Sequence, residues 1–186
     1  MIIVYGGSFN PPTKAHFHIG KLLKEKFNPT QMYILPVGDV YGKKDLISFK
    51  HRFEMVKILA KKLDCLVSDL EDTDVYQGTY FSLLPFKKLD DEIYFVMGSD
   101  NLLKLDKWSH YEDLIKTFKI IVVTRYACDP NEIIAEKFSE YKDKFTILNL
   151  DYPISSSLFR QTLNPDYLNV EIYEYIKENK IYGVDE

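Results

Sequence analysis

The chain has 186 residues, 46% of them hydrophobic and 28% charged, with 24 lysines and arginines against 28 aspartates and glutamates and a formal net charge of −4. That length suits one domain, 1–186, with a substantial core and at most a small appendage, and the acidic balance excludes a general nucleic-acid-binding surface. No apolar run approaches the roughly 20 residues that span a bilayer, and the opening MIIVYGG lacks the charged and apolar regions of a signal peptide, so no membrane partner and a cytoplasmic location are expected by default.

Ile2-Ile3-Val4 predicts a first strand, Gly6-Gly7 a tight turn, and the spacing of Ala15, Ile19, Leu22, Leu23 and Phe27 a helix starting near Thr13. The glycines permit backbone geometry or a close ligand approach that a side chain would obstruct, and Pro11-Pro12 calls for an extended connection before the helix. The free N–H groups and positive dipole end of that helix face the turn, where phosphate is a natural guest. Thr13 and His16, three apart, share a face and can both point at it. His18 lies roughly 200° from His16 at 3.6 residues per turn, so it is expected to be solvated or packed. A glycine turn also serves simply to reverse the chain, and the opening by itself leaves both readings open.

MYILPV (32–37), CLVS (65–68), IYFVMG (93–98), KIIVVTR (119–125) and FTILNL (145–150) read as further short, buried strands. Between them, 49–63 predicts a helix with Phe53, Val56, Ile58, Leu59 and Leu63 on or near one side. A shorter helix over 81–89 is interrupted by Pro85, and others follow at 111–118 and 131–141. The alternation specifies an α/β fold, a doubly wound, mostly parallel sheet covered on both faces, and the tail from 155 to 186 reads as a helical C-terminal appendage. In such sheets ligands sit outside the carboxyl ends of the strands. Gly6-Gly7, Gly98-Ser99-Asp100 and Thr124-Arg125 fall at those ends.

ISSSLFR (154–160) supplies a second anion signal, because serines cap a helix start and Arg160, four residues after Ser156 and three after Ser157, lies one turn along on a similar face. Hydroxyls, amides and a guanidinium make a phosphate clamp; the plainer alternative is a capped helix with a surface arginine. Of the basic pairs, Lys43-Lys44 is the candidate for a pocket, whereas Lys61-Lys62 ends a helix where solvated lysine is ordinary. GDVYGKK (38–44) has three residues between its glycines where a P-loop has four, and no G-x-G-x-x-G follows a strand. Cys65 and Cys128 stand far apart with no His/Cys cluster, so they read as buried thiols and no protein metal site is expected.

GGSFNPPTKAH together with ISSSLFR resembles the nucleotidyltransferase superfamily that pairs a G-x-F-x-P-x-(H/T)-x-x-H motif with a downstream I-S-S-x-x-x-R motif. HRFEMVKIL (51–59), GTYFSL (78–83), GSDNLLKLDKW (98–108) and IYEYIKENKIYG extend the likeness nearly end to end, and the chain looks most like the bacterial nicotinate-nucleotide adenylyltransferases. That resemblance implies a Rossmann-like nucleotidyltransferase fold and transfer of AMP from ATP, with Mg2+ riding on its phosphates, to nicotinate mononucleotide. It implies catalysis by His16, Thr13 and Arg160, and ATP binding by Gly6, Gly7, Ser8, Phe9, His16, Gly98, Ser156, Ser157 and Arg160. For the mononucleotide it implies Trp108 against the pyridine ring, Thr79 and Tyr80 nearby, Asp100 on a ribose, and Lys43, Lys44 and Arg125 as positive charge. Thr13 and Ala15 stand where the commoner bacterial motif has histidine and glycine, and GDVYGKKD replaces its proline-proline-histidine-lysine loop. Phosphopantetheine and nicotinamide mononucleotide are the alternative acceptors, a non-catalytic nucleotide-binding module is the alternative class, and association into a homo-oligomer stays open.

Overall fold

The computed structural model describes residues 1–41, 45–124, 129–150 and 152–184. Lys43, Lys44, Arg125 and Cys128 lie outside the described residues. The apolar opening forms strand β1 (Ile2–Gly7), and the periodic stretch after it forms helix α1 (Lys14–Phe27), with Thr13 as its N-cap. Strand β2 (Gln31–Pro36), helix α2 (Phe49–Leu63) and the short strand β3 (Leu66–Val67) follow. Next come α3 (Thr79–Leu83), which passes into a 3-10 turn at Leu84 with Pro85 in its first turn, and β4 (Ile93–Gly98). The chain continues through α4 (Ser99–Leu102), α5 (Tyr111–Thr117), β5 (Lys119–Val123), α6 (Pro130–Lys137) and β6 (Phe145–Leu148) to α7 (Ser156–Thr162) and α8 (Val170–Glu178).

The strands form one sheet in the order β3-β2-β1-β4-β5-β6. β1 runs parallel to β4 with Ile3 opposite Tyr94, β4 parallel to β5 with Phe95 opposite Ile120, and β5 parallel to β6 with Ile121 opposite Thr146. Strand order reverses beside β1 and β4, the position where doubly wound sheets open a crevice. Gly6 and Gly98 end or nearly end those two strands.

The chain divides into two compact units. The first, residues 1–6, 29–33 and 75–151, holds most of β1 with β4, β5 and β6. Its core is nearly continuous along the strands: Val4, Phe95, Val96 and Met97, then Ile120 to Val123, are all buried. Strands covered on both faces have no polar positions to alternate with. Here Gly6 is set by packing, since a Cβ at this position would stand 2.6 Å from the Phe95 ring.

The second unit, residues 7–28, 34–74 and 152–186, holds α1, α2, α7 and α8. Gly20 lets α1 approach α2 closely, because a Cβ there would collide with Leu63 Cδ1. α8 is tied to α2 by the His51 Nδ1 to Tyr175 hydroxyl contact at 2.9 Å and the Lys62–Glu171 ion pair at 2.7 Å. The C-terminal helices thus share the packing of the N-terminal ones.

Two expectations need correcting. The buried face of α2 consists of Phe49, Arg52, Met55, Val56, Leu59, Ala60 and Leu63, while Phe53 and Ile58 are only half-buried. Phe53 stacks on Phe49 at 5.3 Å with Lys57 Nζ over its ring, so its apolar surface is covered by neighbours on the same helix. The helix foreseen over 131–141 stops at Lys137, where Phe138 leaves helical geometry, and Ser139–Lys144 is a 3-10 segment. Cys65 is a free thiol, half-buried, and burial pushes its pKa up to about 11.

Candidate active site

In the second unit the residues after β1 form a tight, well-anchored turn. Gly7 takes no left-handed conformation; a Cβ on it would lie 3.2 Å from the Phe9 ring. The positive φ falls on Phe9 instead, at 47°, a strained position for a bulky side chain. Its buried ring rests 5.1 Å from the imidazole of His16. Glycine therefore makes room for a protein ring, where the sequence alone suggested backbone freedom or ligand approach.

His16 is buried at the start of α1, and Thr13 is fully buried. The Thr13 N–H donates to His16 Nδ1 at 2.9 Å. Because Nδ1 accepts, the ring proton stands on Nε2 and the imidazole offers a donor there. The Thr13 hydroxyl oxygen also lies 2.9 Å from Nδ1. Thr13 thus supports the histidine from behind, with its N–H and its hydroxyl both beside that nitrogen. His18, as expected, is packed: half-buried, it sits 4.5 Å from the Tyr152 ring.

The serine-rich segment returns to the same turn. Ser155 is the N-cap of α7, accepting from Leu158 N–H at 3.1 Å. The Ser156 hydroxyl donates to the Pro11 carbonyl at 2.8 Å, and Arg160 Nη1 donates to the Asn10 carbonyl at 2.6 Å. Arg160 Nη2 reaches the Ser157 hydroxyl at 3.4 Å. A guanidinium carries five N–H donors, so these two bonds leave donors for a bound anion. The two stretches singled out as anion signals, 145 residues apart at Ser156 and Pro11, are in direct contact.

Three residues of this unit were not foreseen as parts of the site. Asn10, 3% exposed, accepts from the Ile47 N–H and the Tyr182 hydroxyl through Oδ1 and donates from Nδ2 to the Asp45 carbonyl at 2.8 Å. Arg52, fully buried, donates to the carbonyls of Ser8, Val37 and Ile47 at 3.1, 2.6 and 2.9 Å and to Asp39 Oδ1 at 2.8 Å. Tyr182 comes from the C-terminal tail. Composition offers no signal for the tail tyrosine among 14 tyrosines; Asn10 and Arg52 were inside recognised fragments, yet their partners are set only by folding.

Of the residues assigned to the acceptor, the first unit holds Thr79, Tyr80, Asp100 and Trp108. Gly78 has φ +104°, and a Cβ there would stand 3.3 Å from Ser109 Cβ. That close approach brings Thr79 and Tyr80, at the start of α3, to the segment carrying Trp108. Tyr80 lies 6.1 Å from the His110 ring in a stacked arrangement, and half-buried Trp108 sets its edge against Phe95 at 6.5 Å. Thr79 is buried, its hydroxyl 3.0 Å from that of Tyr76. Gly98 is the N-cap of α4, and Asp100, in the first turn of that helix, is exposed. Among the described residues, no group of three or more His, Cys, Asp and Glu side chains could hold a metal ion, and no helix is long and apolar enough to cross a membrane.

A 3-2-1-4-5-6 sheet with neither nucleotide loop of the P-loop or G-x-G-x-x-G kind, yet with histidine, serine and arginine clasped to the turn after its first strand, defines the α/β nucleotidyltransferase class. Within that class the chain belongs to the cytidylyltransferase-like family, whose model matches residues 4–162. It is 41% identical over 188 residues to a probable nicotinate-nucleotide adenylyltransferase of Acholeplasma laidlawii, covering 98% of this chain and 97% of the relative. A relative of the same name from Carboxydothermus hydrogenoformans is 30% identical over 194 residues, with 96% of each chain covered. The solved structure of Plasmodium falciparum nicotinic acid mononucleotide adenylyltransferase complexed with NaAD superposes with a TM-score of 0.81 at 23% identity, covering 99% of this chain and 98% of that one, a likeness of fold.

Proposed function

We propose that this chain is a nicotinate-nucleotide adenylyltransferase, moving AMP from ATP to the phosphate of nicotinate mononucleotide to give deamido-NAD and pyrophosphate. The observation that carries this reading is the clasp of Ser156 and Arg160 on the His16 turn, in a chain 41% identical, over nearly its full length, to a relative bearing that name. The whole chain, 1–186, acts as one nucleotidyltransferase domain with 155–186 as its C-terminal appendage, and works in the cytoplasm.

A phosphate oxygen of the mononucleotide attacks the α-phosphorus of ATP in line. The bond from that phosphorus to the bridging oxygen breaks, and its electron pair leaves with pyrophosphate. No covalent intermediate forms, so the protein contributes position and charge stabilisation. His16 donates from Nε2 and Arg160 from its remaining N–H groups to the ATP phosphates, with Thr13 holding the imidazole. Ser156 and Ser157, the backbone of Gly6, Gly7, Ser8 and Phe9, and Gly98 complete the ATP contacts. Magnesium enters as part of the substrate, on the phosphates. Trp108 stacks on the pyridine ring beside Thr79 and Tyr80, Asp100 takes a ribose hydroxyl, and Lys43 or Lys44, with Arg125, offers charge to the mononucleotide phosphate.

The direct test is pyrophosphate release from Mg-ATP with nicotinate mononucleotide, nicotinamide mononucleotide and phosphopantetheine offered separately. Release with the first alone is expected; release only with another acceptor overturns the substrate, and no release with any overturns the activity. Trp108→Ala is expected to raise KM for the mononucleotide about tenfold, the worth of one stacked ring, while KM for ATP stays within about twofold. Equal weakening of both substrates would make Trp108 a packing residue against Phe95.

A further inference from the structure

The C-terminal tail reaches the turn that carries the phosphate ligands. After α8 the chain turns at Lys180 and Tyr182, both with positive φ, 51° and 61°. The Tyr182 ring then packs edge-on against fully buried Phe159 of α7 at 6.0 Å, and its hydroxyl donates to Asn10 Oδ1 at 2.7 Å. Asn10 is buried, and its amide orientation is fixed from both ends, the oxygen accepting from Tyr182 and the Ile47 N–H, the nitrogen donating to the Asp45 carbonyl. The backbone carbonyl of this same residue receives Arg160, and the next carbonyl, that of Pro11, receives Ser156.

We propose that Tyr182 is a positioning residue for ATP: through Asn10 it fixes the carbonyls that aim Arg160 and Ser156, without touching the substrate itself. Burial holds the phenol well above its ordinary pKa, against the opposing pull of Arg160 and Arg52, so the hydroxyl remains a donor at working pH. The bond is short, one of three that hold the Asn10 side chain. Losing it leaves Asn10 with two of its three side-chain bonds, so the residue shifts and the carbonyl that receives Arg160 shifts with it. This inference rests on the assignment of Arg160 to the ATP phosphates.

Tyr182→Phe keeps the ring against Phe159 and removes only the donor, so the fold is retained. With full-length protein, KM for ATP is expected to rise about fivefold, the effect of one misaligned donor, while KM for nicotinate mononucleotide stays nearly unchanged and the thermal midpoint falls only by the roughly 2–4 °C of one lost internal hydrogen bond. Arg160→Ala, measured beside it, separates the two claims. If Arg160→Ala raises KM for ATP and Tyr182→Phe does not, the role of Tyr182 is overturned and the site stands. If Tyr182→Phe weakens both substrates alike and lowers the thermal midpoint beyond that range, its role is structural and the inference falls. If Arg160→Ala leaves ATP binding and turnover unchanged, the phosphate assignment falls and this inference with it.

Discussion

Replacing Arg52 with methionine is expected to cost about 3–5 kcal/mol of folding stability, because several part-buried acceptors lose their donor at about 1–3 kcal/mol each. The side chain is fully buried, and its guanidinium serves four acceptors on three separate stretches of chain: Ser8 after β1, Val37 and Asp39 after β2, and Ile47 just before α2. Asp39 is half in solvent, with 53% of its side chain exposed, so that arm contributes little. The loss comes from the carbonyls of Val37, Ile47 and Ser8, which in part-buried surroundings lose the guanidinium donor. Methionine fills similar volume and spares the packing against Phe49, so the variant isolates the hydrogen bonds from a cavity. Lysine cannot reproduce the fork and is expected to recover only part of the loss. Urea unfolding of the three proteins decides it. A methionine variant within about 1 kcal/mol of the parent would show that these loops are held by other contacts.

Arg52 also marks where sequence reading runs out. Periodicity placed 49–63 as a helix with the boundaries observed, and β4 likewise, because their apolar residues fall at spacings that only one kind of element can bury. The same periodicity put Phe53 and Ile58 on the core side and passed over Arg52, since a pattern of apolar residues carries no term for a buried cation. Its justification is three carbonyls supplied by loops, and loops have no period. The site shows the same division. Thr13, His16, Ser156, Ser157 and Arg160 stand out as candidates because their spacing on a helix start is itself chemistry, and the fold places all five in one unit. Asn10 was visible only as a letter in a turn; that its side chain binds the tail through Tyr182 depends on a contact spanning 172 residues. Gly78 was likewise noted as part of a fragment, while its function, admitting Ser109 at a left-handed φ, appears only in three dimensions.

His16→Ala is expected to lower turnover by at least about 100-fold, the usual effect of removing one donor aimed at charge developing in the transition state. The substitution also reaches the fold. His16 Nδ1 accepts the Thr13 amide, one of the four N–H groups that a helix start leaves without partners. Alanine orphans that amide and opens space beside the Phe9 ring, so a stability loss of about 1 kcal/mol accompanies the loss of rate, a shift of roughly 2–4 °C in thermal midpoint for a chain of this size. The two effects separate by temperature. A stability loss of that size leaves nearly all of the protein folded well below its midpoint, so a 100-fold deficit at low temperature belongs to the chemistry. Kinetics there distinguish binding from catalysis: a fall in kcat with KM for ATP little changed places the Nε2 donor in the transition state, and a rise in KM alone places it in ground-state binding. Unchanged turnover would leave His16 as the cap of α1 and shift the catalytic charge to Arg160.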